Sequence, residues 1–248
     1  MRGHAIRLIA SGSLWVLLLA VTAWAIPPAS DQTSVASTVR WEEGRPGCTF
    51  SRDDDGKYRY GFWTDDFGII LAVDSQELEK VRRRAQPILA LQLTLRYRGK
   101  DSLEVEPGKI TLEFVKHYRD VHSALDPDNL ADKEQKDADA RVEETDHAIS
   151  KHPEKKTEKE AMLAARQKDA ADMIEFLNTR TLRAGTLDSD HPAETGWVLF
   201  SVESKWIGEL QKQEEFLLRV PIGDRVVEFP FSLPPSEGDL ILRRRPGN

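Results

Sequence analysis

Residues 88–99 read ILALQLTLRYRG, and only a period of two sorts them cleanly. Leu89, Leu91, Leu93, Leu95 and Tyr97 fall on one side, with Ala90, Gln92, Thr94, Arg96 and Arg98 on the other. Successive side chains of a strand point to opposite faces, so this segment has one dry face and one wet face. A dry face must be laid against another layer, which makes this a sheet protein.

The same pattern recurs on both sides. CTFSR, the turn Asp53-Asp54-Asp55-Gly56 and KYRYGFW predict a hairpin, and Thr64 to Gly68 a second turn before IILAV. A helix is expected over Asp74 to Ala85, capped by Asp74 or Ser75 with Glu77 at the reciprocal position, buried along Leu78, Val81 and Ala85, and ended by Pro87. SLEVEPGKITLEFV turns at Pro107-Gly108 and points Ile110, Leu112 and Phe114 inward. GWVLFSVESKW offers Val198, Phe200 and Val202, and EEFLLRVP offers Phe216, Leu218 and Val220. After the Gly223-Asp224 turn, RVVEFPFSLPP offers Val227, Phe229, Phe231 and Leu233. Pro230 cannot donate to a ladder, which places this last strand at an edge. About seven strands at short spacing predict a mainly β chain built as an antiparallel sandwich, not a parallel α/β sheet.

Residues 126–183 interrupt that grammar. Asp126 before Pro127 is a helix start, and Ala138, Val142, Thr145 and Ile149 form a narrow apolar stripe. His152-Pro153 breaks the helix, because the residue before proline is pushed out of the α region. Thr157 with Glu160 forms a capping box that restarts it, followed by Met162, Leu163, Ala170, Met173, Ile174 and Leu177 and a close near Gly185. The short link makes the two helices antiparallel, an α-helical hairpin inserted between the β blocks.

The strand run LALQLTLRYRG, SLEVEPGKITLEF, GWVLFSVESKW, EEFLLRVPIGD and RVVEFPFSLP resembles the layout of secreted bacterial immunoglobulin-like β-sandwich domains. The resemblance covers about half of the chain after signal cleavage and implies an antiparallel immunoglobulin-like β-sandwich over 47–125 and 184–242, with the insertion at 126–183. It is one of layout, and it carries over no functional residue.

The first 25 residues have the build of a signal peptide. Arg2 and Arg7 are followed by an apolar run over Leu8 to Val21 and by the small-x-small site Ala23-Trp24-Ala25. Ser11 and Ser13 shorten the apolar run below what a membrane anchor needs. A secreted or periplasmic protein is expected, with no membrane span after signal cleavage. Residues 26–46 read as a flexible lead, with order beginning near Trp41 or Cys48, and 243–248 as a basic tail.

Without Arg2 and Arg7 the 35 basic and 42 acidic residues become 33 and 42, a net charge of −9. Nucleic acid is excluded as a partner, because Arg82–Arg84 and Arg243–Arg245 are short isolated runs, not a basic surface. The lone Cys48 cannot form an internal bridge and reads as a partly buried structural thiol.

Candidate constellations are weak. His117 with His122, and His147 with His152, are spaced five apart, which suits neither a helix face nor a strand face for zinc. Asp53, Asp54, Asp55 and Gly56 start like a calcium loop, with Asp65 and Asp66 nearby, but Thr64 stands where a bidentate glutamate is needed. Trp41, Trp63, Trp197 and Trp206 could stack on sugar rings if exposed in a row, and otherwise pack in or beside the core. No nucleophile elbow, phosphate-cradling loop or HExxH occurs. No catalytic, cofactor-binding or metal residue is nominated.

The narrow stripes of the hairpin must meet the sheet, a second copy or another protein. The expectation is a non-enzymatic protein with a structural or protein-interaction role, using the hairpin for a protein partner or self-association. The alternative is a glycan-binding or small hydrolytic envelope protein with its site at the loop end of the sandwich. The plainest account of the insert is a cover for a sheet edge.

Overall fold

The computed structural model describes residues 37–74, 88–100, 102–116, 120–202 and 213–233. The expected signal peptide, the first part of the lead, the helix after Asp74, His117, Trp206 and the basic tail lie outside these residues. Among the described residues the chain is mainly β with two long helices. The strands are β1 (Ser37–Arg40), β2 (Cys48–Arg52), β3 (Lys57–Trp63), β4 (Phe67–Asp74), β5 (Ile88–Tyr97), β6 (Leu103–Val105), β7 (Thr111–Phe114) and β8 (Asp120–Ser123). Helices α1 (Pro127–Lys151) and α2 (Lys156–Arg180) follow, then β9 (Gly185–Leu187), β10 (Ala193–Ser201), β11 (Glu214–Ile222) and β12 (Arg225–Leu233).

One sheet runs β10-β5-β4-β3-β2 and is antiparallel throughout. The other runs β1-β12-β11-β7-β8, with a parallel pair only at β1 and β12. A short pair, β6 with β9, stands apart. The β2–β3 turn is closed by the Gly56 N–H on the Asp53 carbonyl at 3.0 Å, and Gly56 takes φ 77°, a left-handed angle that a side chain would strain. At the β3–β4 turn the Thr64 hydroxyl oxygen accepts from the Phe67 and Asp66 N–H groups, so a side chain does the work of a backbone turn.

The inward faces of both sheets supply one apolar core. Leu89, Leu91, Leu93, Leu95, Ile69, Leu71 and Phe200 come from the first sheet, and Leu112, Phe114, Phe216, Leu218, Phe229 and Phe231 from the second. Phe216 stacks on Phe231 at 5.1 Å and meets Phe114 edge-on at 5.3 Å. Each such side chain contributes about 1.5–3 kcal/mol through burial, so the alternating residues dominate the fold's stability.

Four expectations are corrected. Ser37–Arg40, read as part of the flexible lead, pairs with Arg225–Glu228; Trp41, one of the two residues where order was expected to begin, is buried with its indole N–H donating to the carbonyls of Thr49 and Gly61. A four-residue strand paired on one side leaves no period in sequence. β12 is not an edge strand, since it lies between β11 and β1. Pro230 is tolerated there because β1 pairing ends at Glu228, before the proline is reached.

The wet face of β5 is wet only in part. Ile88 and Ala90 are buried with Leu199 beneath the base of the helices. Finally, the strands outnumber the expected seven, because short pieces such as β6, β8 and β9 carry too few residues to show alternation.

Candidate functional site

Helix α1 begins as expected. The Asp126 carboxylate accepts from the Asp128 N–H at 2.9 Å, and Pro127 occupies the first turn, where its missing donor costs nothing. α2 begins otherwise: Pro153–Lys155 forms a 3-10 turn, and the Lys156 N–H donates to the Pro153 carbonyl. Thr157 and Glu160 form no capping box, because this turn runs directly into the helix and no side chain caps it. α2 ends at Arg180, five residues before the expected Gly185, which instead opens β9.

The base of the pair is tightly held. Arg183 donates to the Leu177 carbonyl at 2.9 Å and pairs with Asp128, tying the last turn of α2 to the first turn of α1. Leu177 and Ala131 pack on Ile88, Ala90 and Leu199, with Leu130, Met173, Ile174, Phe176 and Trp197 half-buried around them. The free edge of β10 is bonded by the flanking chain. The Leu125 N–H reaches the Leu199 carbonyl at 2.7 Å, and the Leu182 N–H reaches the Trp197 carbonyl at 2.9 Å.

Gly196 makes this approach feasible, because a Cβ there would lie 2.3 Å from the Leu182 nitrogen. Glu134 sits in the same base with its Oε1 buried and unpartnered. Burial, reinforced by the Asp137 carboxylate, raises its pKa above the ordinary glutamate value.

Beyond the base the picture changes. No residue from 135 to 169 is buried. Ala138, Val142, Thr145, Ile149 and Leu163 are half-buried, and Met162, expected on the apolar stripe, is 50% exposed. The Lys159 ammonium donates to the Ala148 carbonyl at 3.1 Å across the two helices.

Other residues singled out in the sequence are dispersed. His122 lies on β8, 3.0 Å from Asp120 and edge-on to Phe114. His147 is exposed on α1, and His152 caps that helix beside Glu154. Asp53 and Asp55 hold Arg59 at 2.9 and 2.7 Å, and the Arg59 guanidinium keeps the Asp55 carboxyl well below the usual carboxylate range. Among the described residues no group of three or more His, Cys, Asp and Glu is placed to hold a metal. Cys48 is a free, half-buried thiol against the core.

The three tryptophans among the described residues serve different ends. Trp41 is core. Trp197 faces Phe176 under the helix base, with the Lys57 ammonium 5.5 Å from its ring. Trp63 is half-buried on the outer face of β3. A Cβ on Gly68, directly opposite, would lie 2.3 Å from its ring, so the indole lies flat in space that Gly68 vacates. The guanidiniums of Arg98 and Arg96 lie 5.0 and 6.0 Å from that ring.

Beside Trp63 an open groove of about 660 Å³ crosses β2, β3 and the Arg52–Asp55 turn. In the sequence Gly68 reads as the end of the Thr64 turn and Gly61 as an ordinary strand residue, but Gly68 lies inside β4, and a glycine inside a strand is a known sign of close approach.

No protein-family model, curated protein or solved structure matches the chain. No helix among the described residues is long and apolar enough to cross a membrane.

Proposed function

We propose that this is an exported, non-catalytic protein in which an immunoglobulin-like β-sandwich carries an inserted helical hairpin, and that the outer end of the hairpin docks a partner protein. One observation carries this reading: residues 135–169 contain no buried residue, while Ala131, Glu134, Ala170 and Leu177 at the base are all buried. Shielding an edge strand accounts for Leu125, Leu177 and Leu182, which lie on or beside β10. It gives no reason for helices of 25 residues, about 37 Å each at 1.5 Å per residue. The shared core of two five-stranded sheets supports the sandwich, and Arg2, Arg7, the apolar run and Ala23-Trp24-Ala25 support export.

The test shortens the hairpin without disturbing its base. Removing residues 138–148 and 159–169 takes about three turns from each arm and keeps both helices in phase. The shortened chain is expected to keep its melting temperature and to lose either the protein captured by the intact chain from the source envelope or its self-association by light scattering. Equal capture and equal mass for the two chains would overturn the proposal.

A further inference from the structure

We infer that the groove beside Trp63 binds a neutral saccharide through a pyranose ring, a site separate from the helical hairpin. Its floor is the outer face of the β2–β3–β4 edge, where Thr49, Gly61 and Ile70 stand in one row across three strands. Gly61 shapes this floor. A Cβ there would lie 2.2 Å from the Thr49 hydroxyl and 2.9 Å from the Trp63 indole nitrogen, so both polar atoms converge over the bare glycine. Neither has a hydrogen-bond partner among the described residues. Gly68 beneath the indole and the Arg96 and Arg98 guanidiniums over its ring hold it in place, so it meets the groove by its N–H edge and not by a face.

The lining selects the chemical class. The indole N–H and Arg52 are donors, Asp53, Asp54 and Asp55 are acceptors, and the Thr49 and Ser51 hydroxyls are both. Ile70 and the indole edge give one small apolar patch. A pyranose ring matches this mixture, because its hydroxyls donate and accept around an apolar C–H face. Anionic ligands are disfavoured: three carboxylates line the groove against Arg52 and Arg59, and Arg59 is already held by Asp53 and Asp55. A divalent cation fares no better, since the same ion pairs occupy Asp53 and Asp55. At about 660 Å³ the groove lies within the usual range for small-ligand sites.

Isothermal titration of the intact chain with maltohexaose, cellohexaose and tetra-N-acetylchitotetraose tests the assignment, with inorganic phosphate as the anion control. At least one saccharide is expected to bind with a Kd of about 1 mM or tighter. Trp63→Ala and Thr49→Arg are each expected to weaken it at least tenfold, and Met162→Lys on the hairpin to leave it unchanged. Thr49 is exposed on an edge strand, so Thr49→Arg fills the groove and decides the matter even if Trp63→Ala does not fold. Absence of binding for all three saccharides, undiminished binding by Thr49→Arg, or binding of phosphate alone would each overturn the inference. Because hairpin shortening leaves this groove intact, the two proposals fail independently.

Discussion

Between Asp126 and Arg183 one sequence style, rich in alanine and alternating charge, meets two environments. At the base, apolar side chains from both helices press on Ile88, Ala90 and Leu199, and the chain on either side bonds the edge of β10. At the outer end the same narrow stripes meet only at half burial. The difference divides the helical pair in two: its base packs into the apolar cluster beside β10, while its outer end has no buried residue and contributes little to stability.

The sharpest way to break that comparison is Leu177→Ala. Leu177 is fully buried against the sheet, and truncation is expected to cost about 3 kcal/mol, read from urea denaturation. A loss below about 1 kcal/mol would mean that the base is not part of the core. Gly196→Ala follows, at about 2 kcal/mol, because the added methyl meets the Leu182 backbone and not a side chain that can turn away.

Glu134→Gln is expected to stabilise the chain at pH 8, because it removes a buried carboxylate whose Oε1 has no partner. The sign follows from linkage. The native pKa of Glu134 is raised above the 4.5 of the unfolded chain, so the folded state holds the proton more tightly. The native chain therefore gains stability relative to the glutamine variant as pH falls through the native pKa toward 4.5. A difference between the two melting curves that does not change between pH 8 and pH 4.5 would refute this. The smallest effect is Met162→Lys at the exposed end, expected within about 0.5 kcal/mol of the native chain.

How far the sequence could be read follows the same divide between paired faces and single contacts. The leucines at 89, 91, 93 and 95 announced their strand because one-sided burial imposes a period of two, and all four are buried as expected. Asp126-Pro127 announced α1 because its capping chemistry is local. The restart at Lys156 was misread because Thr157 and Glu160 also fit a local motif, while the 3-10 turn at Pro153 supplied the backbone bond first.

Burial of Ile88 and Ala90 could not be read at all, since alanine suits a wet face as well as a dry one and the covering helices come from elsewhere in the chain. The groove beside Trp63 was hidden for a similar reason. It depends on what Gly61 and Gly68 lack, and only the neighbouring strands reveal where that missing volume lies.

The parallel pairing of β1 with β12 has a kinetic consequence. Ser37 lies against Arg225, so this pair joins two strands far apart in the sequence. Contacts of such separation carry a high loop-closure cost and form late. Until β12 arrives, Ser37–Arg40 has no ladder and the Trp41 backbone N–H lacks the Glu228 carbonyl it bonds at 2.7 Å. Closure of this seam is the natural last step of folding, and it joins the first and the last of the described strands.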